Sequence, residues 1–88
     1  MNVMEELPRR LSGLNPQVLE CRDDSAAHVG HAGNRGGGHY HLVIVSEAFV
    51  GQSRLARQRM VQAPLADLYS QHIHALSIQA FAPDEYFA

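Results

Sequence analysis

The stretch FVGQSRLARQRMVQAPL, residues 49–65, decides the fold. Gly51 suits a tight turn, because glycine takes a positive φ at low cost. Ser53 follows as an expected N-cap, its short side-chain oxygen able to accept from a first-turn amide. A helix studded with arginines comes next, with Leu55, Met60 and Val61 expected to face a sheet and Arg54, Arg57 and Gln58 largely on another side. Pro64 cannot sit comfortably inside that helix, so a kink or a second helical piece is predicted from there to about Gln71. Leu65, Leu68 and Tyr69 would form that piece's apolar face.

Working outward, HYHLVIVS (39–46) puts Tyr40, Leu42 and Ile44 on one strand face and Val43 and Val45 on the other. Apolar groups on both faces predict a central strand. QVLECRDD (17–24) reads as a strand with Leu19 and Cys21 opposite Glu20 and Arg22, pairing antiparallel with 39–46 across the glycine-rich loop 25–38. IHALSIQAF (73–81) is the third strand, with His74 sharing the face of Leu76 and Ile78. Val3, Leu7, Leu11 and Leu14 mark one face of a helix over 2–14, which Pro8 either opens or kinks. Pro83, Asp84 and Glu85 open a short last helix. The order αββ(αα)βα predicts a small α+β domain over residues 1–88, a three-stranded sheet with helices over one face.

Composition narrows the function. Eighty-eight residues with 45% hydrophobic content support one modest core. The formal charge of −2 gives no global drive toward nucleic acid or an anionic membrane. No apolar run approaches the roughly 20 residues that cross a bilayer, and MNVMEELPRR has no apolar signal core, so a cytoplasmic protein with no membrane partner is expected. The one cysteine, Cys21, excludes an internal disulfide and a self-contained four-cysteine metal site; it reads as a small buried hydrophobe.

All seven basic residues are arginines, and Arg54, Arg57 and Arg59 fall together, where they would contact phosphates if nucleic acid is bound. A three-arginine helix face is more often simply solvated. Of six histidines, four lie between residues 28 and 41, and His72 and His74 flank the start of the third strand. No zinc spacing is present, and a loop histidine is ordinarily solvated. Neutral imidazole is nonetheless the commonest metal ligand, and two such ligands would need a partner to complete a site. Gly36-Gly37-Gly38 matches no phosphate-loop spacing, and no nucleophile elbow surrounds any serine, so no catalytic residues and no enzyme activity are expected.

The stretches LNPQVLECRDDSAAHVGHAG, GGGHYHLVIVS, FVGQSRLARQRMV and IHALSIQAFAP together resemble the BolA family, from Leu11 to Pro83. The family pattern of Phe-x-Gly, an Arg-His-Arg helix and a later His-Ala-Leu is matched by Phe49, Gly51, Arg57, Arg59, Val61 and His74-Ala75-Leu76. Gln58 stands where the family usually has histidine and Gln62 where it usually has tyrosine, so no role of those side chains is carried over. The resemblance implies a fold like the class II KH domain with a helix-turn-helix-like segment, although the Gly-x-x-Gly loop of KH domains is replaced by Val61-Gln62-Ala63-Pro64. It implies a monothiol glutaredoxin as partner, with a shared [2Fe–2S] cluster to which the glutaredoxin brings a cysteine and glutathione. The strand ligand then falls on His74, and the loop ligand on His28, with His31 as the fallback. No cofactor is expected in the isolated chain, and a homodimer is left open. A second implied role is DNA-binding transcriptional regulation of the morphogene or stress-response type, with Arg54, Arg57 and Arg59 on phosphates and Gly51 shaping the turn.

Overall fold

The central strand is β2, Gly38–Val45, and a computed structural model describing residues 1–25 and 38–88 builds the sheet on it. β1, Val18–Asp23, pairs antiparallel with β2, from Val18 opposite Val45 to Asp23 opposite Tyr40. β3, Ile73–Phe81, lies parallel on the other side, so the order is β1-β2-β3 and the sheet is mixed. The expected antiparallel pair and central strand are both found. The intervening residues 26–37, with His28, His31, Gly36 and Gly37, lie outside the described residues.

Alternation sorts the sheet into two faces. Leu42 and Ile44 are fully buried, and Leu19, Cys21, Tyr40, Leu76, Ile78 and Ala80 pack partly buried on the same side. Glu20, Arg22, Ser77 and Gln79 take the opposite, exposed side. Helices cover the apolar face. In α1, Val3–Leu11, the buried residues Val3, Leu7 and Leu11 recur every four positions. The helix starts at Val3 and continues across Pro8, so the alternative of a start at Pro8 is overturned: the proline is exposed, and the buried leucine stripe holds the helix on both sides of it. Acidic Glu5 and Glu6 in the first turn and Arg9 and Arg10 in the last complement the helix dipole. Asn15, with φ 48°, turns the chain after a 3-10 turn over Ser12–Leu14.

Phe49, on a 3-10 turn over Glu47–Phe49, is fully buried. Ser46, also fully buried, ties this turn to the first helical unit: its Oγ accepts from the Ala48 N–H and donates to the Leu14 carbonyl. α2 spans Arg54–Gln62, and the chain continues as a 3-10 segment, Ala63–Ser70, with Pro64 at its start and Leu65 and Leu68 buried. The two-piece expectation holds, with the second piece 3-10 rather than α. α3 is a single turn, Pro83–Tyr86, whose Glu85 carboxylate accepts from the Ala82 N–H. The Tyr86 ring lies 5.6 Å from Phe81.

Other expectations need correction, among them the placing of Arg57 and Gln58 away from the sheet, since both donate to β3 carbonyls. Leu55 does not face the sheet: it is 58% exposed, and Val61 and Met60 supply the helix's apolar contacts instead. His74 does not continue the Leu76–Ile78 face. Gly38 pairs with Ile73 while His39 pairs with Ala75, so His74 is the extra residue of a β-bulge, which resets the alternation.

Candidate functional site

Because β2 and β3 are parallel and β1 is antiparallel, one end of the sheet gathers the starts of β2 and β3 and the finish of β1. His39 and His41 of β2 and His72 and His74 beside or on β3 therefore lie toward the same end of the sheet as Asp23 and Asp24. The His39 and His74 rings lie 5.0 Å apart between centroids, tilted by 47°. His74 is exposed, and His39 is half-buried.

The backbone around this pair is tied down. The Gly38 N–H donates to the His72 carbonyl at 3.1 Å, and the Asp24 N–H donates to the His39 carbonyl at 2.7 Å. The His39 N–H donates to Ser25 Oγ at 3.1 Å. Gly38 must be glycine for space as well: an added Cβ would stand 2.5 Å from the Tyr40 hydroxyl and 2.7 Å from Ser25 Oγ. Its committed N–H leaves it no part in an anion cradle. The Asp23 carboxyl is held below its ordinary range by hydrogen bonds from Ser25. Arg22 pairs with Asp24 at 2.7 Å. Burial pushes the Cys21 thiol up, away from reactive thiolate character. Among the described residues no group of three or more histidines, cysteines or carboxylates is placed to hold a metal. The His39–His74 contact was not anticipated from the sequence. The available signal was the crossover from β2 to β3, which places both strand starts at one end.

The arginine helix divides its basic groups. Gly51 takes φ +74°, and Ser53 Oγ accepts from the Ala56 N–H at 3.0 Å, so the turn and the cap are as expected. Arg54 and Arg59 are exposed, with no ion pair among the described residues. Arg57 is turned inward. Its side chain is 13% exposed and donates to the carbonyls of Gln52 and Ala80 and to both Glu85 oxygens, the closest at 2.6 Å. The Arg57 guanidinium, with the Ala82 N–H, holds the Glu85 carboxyl down to about 2. Gln58 also faces the sheet, donating from Nε2 to the Ile78 carbonyl at 3.0 Å. The arginine trio read from the sequence thus resolves into two exposed cations and one structural clamp.

The family described as BolA-like protein matches residues 11–85. The chain belongs to the BolA-like family. It is 40% identical over 73 residues to BolA-like protein 1 of Bos taurus, covering 83% of this chain and 53% of that one, so it spans about half of that relative's length. It is 32% identical over 87 residues to the DNA-binding transcriptional regulator BolA of Escherichia coli, covering 98% of this chain and 81% of the relative. The solved BolA domain of SufE1 from Arabidopsis thaliana superposes with a TM-score of 0.84 at 36% identity, covering 97% of this chain and 96% of that domain. The BolA fold is therefore the scaffold on which both the histidine end and the arginine helix are carried. Among the described residues no helix is long and apolar enough to cross a membrane.

Proposed function

We propose that this BolA-like chain is a non-enzymatic adaptor of iron–sulfur and iron homeostasis. It binds a monothiol glutaredoxin and shares a [2Fe–2S] cluster with it, through His74 and a histidine of the segment joining β1 to β2, His28 with His31 as the fallback. The observation that carries this reading is His74 itself: an exposed imidazole on the β3 bulge, at the end of the sheet where that segment leaves β1 and enters β2. The donor set suits a shared group rather than a private one. Two imidazoles alone do not close a cluster site, which supports a reading in which the partner's cysteine and glutathione complete the coordination. When bound, a cluster with imidazole in place of thiolate is less negative, which raises its potential. The chain's own part is to present His74 from a hydrogen-bonded strand start.

The test is anaerobic reconstitution of a monothiol glutaredoxin with iron, sulfide and glutathione, followed by titration of this protein under visible circular dichroism. A new spectrum saturating near one-to-one is expected, and His74→Ala should alter it. An unchanged spectrum with the variant would remove His74 as a ligand.

A second reading, DNA-binding regulation, draws on the exposed Arg54 and Arg59 and on the name of the Escherichia coli relative. Binding would fall with salt. Replacing Arg54 and Arg59 should weaken it. Binding unaffected by that pair, or absent at low salt, would remove this reading.

A further inference from the structure

β3 is an edge strand, and its outer edge borders a groove of about 690 Å³ between α2, β3 and α3. That volume lies within the roughly 300–1,000 Å³ of small-molecule sites. The polar groups around it are unevenly matched. The two edge carbonyls, Ile78 O and Ala80 O, are already bonded to Gln58 and Arg57. Since a residue's N–H and C=O share one edge of a strand, the Ile78 and Ala80 N–H groups point the same way. β3 has no strand neighbour on that edge, and no loop or cap carbonyl among the described residues accepts from either N–H. Glu85, the carboxylate of the groove, is taken by Arg57 and the Ala82 N–H. Arg54, at the groove's other wall, has no counter-ion among the described residues. The edge carbonyls and the carboxylate are engaged, while the edge N–H donors and one positive charge remain open.

The geometry points to a binding site for a small oxyanion ligand, a carboxylate or phosphate group on a compact molecule. Arg54 meets its charge, and the Ile78 and Ala80 N–H groups take its oxygens. Phe81 offers an apolar wall for a short stem. The capped carbonyls also explain the ligand class. A full peptide strand adding to this edge needs carbonyl acceptors as well as N–H donors, and here only the donors are open. The site stands apart from His74 and does not depend on a cluster.

The experiment is amide and arginine side-chain NMR of the full chain titrated separately with succinate, inorganic phosphate and a short DNA duplex. Saturable shifts at the Ile78 and Ala80 amides and at Arg54 Nε with succinate or phosphate are expected, and which of the two binds more tightly assigns the ligand's anionic group. Arg54→Ala should weaken that binding roughly tenfold or more, whereas Arg59→Ala should leave it unchanged. No saturable shift at Ile78 and Ala80 with either small anion would overturn the site. So would equal weakening by the two variants, which marks diffuse charge, or perturbation of Arg54 and Arg59 by DNA alone.

Discussion

Arg54 and Arg57 sit one helical turn apart, yet their surroundings separate them. Arg57 closes a three-way junction: the Gln52 carbonyl before α2, the Ala80 carbonyl on β3 and the Glu85 carboxylate on α3. Arg57→Ala leaves the Ala80 carbonyl unpaired in a half-buried position, a loss of about 1–2 kcal/mol. For a domain of this size that lowers Tm by about 4–15 °C, whereas Arg54→Ala should leave Tm nearly unchanged. Thermal melts of the two variants check the contrast; equal, small shifts would contradict the clamp. Nothing local announces this difference, because the partners lie 23 and 28 positions along the chain. A helix with basic residues on several sides fits its sequence pattern in more than one rotation, which is why the pattern alone points Leu55 inward and Gln58 outward.

At the scale of elements, turns and caps were the most legible features, since their chemistry is local. Gly51 at φ +74° has nothing within 4 Å of an added Cβ, so Gly51→Ala costs backbone strain rather than a clash. The expected destabilisation is about 1–2 kcal/mol, read as a lower urea midpoint with an unchanged slope. A change below a few tenths would mean the turn rearranges freely. The β3 bulge was not legible, because an unbroken alternation HALSI fits a regular strand equally well. Only pairing with β2 reveals that Ile73 and Ala75 oppose consecutive residues, and that His74 is set out beside His39.

Across the whole molecule, two carboxylates couple the helices to the rest of the fold and to pH. Glu85 joins α3 to α2, while Glu6 accepts from Arg9 and Arg10, and Arg10 in turn reaches Asp67 on the 3-10 segment. Their arginine partners hold both glutamates at about 2, from an ordinary 4.5. A carboxyl depressed in the folded state stabilises it above the unfolded value and loses that contribution as pH falls through the folded one. Urea midpoints should therefore stay level with respect to these two groups above about pH 4.5 and fall between about 4.5 and 2; a midpoint level down to pH 2 would contradict the coupling. The sequence by itself determined the element order, the central strand, the apolar face of α1, the Gly51 turn, the Ser53 cap and the break at Pro64. Each of these rests on periodicity or on the stereochemistry of neighbouring residues. Tertiary structure alone decided which arginine is buried, which histidines meet, and which edge groups of β3 stay open. Those depend on register and packing between segments far apart in the chain, where satisfying one charge or carbonyl settles what is left for another.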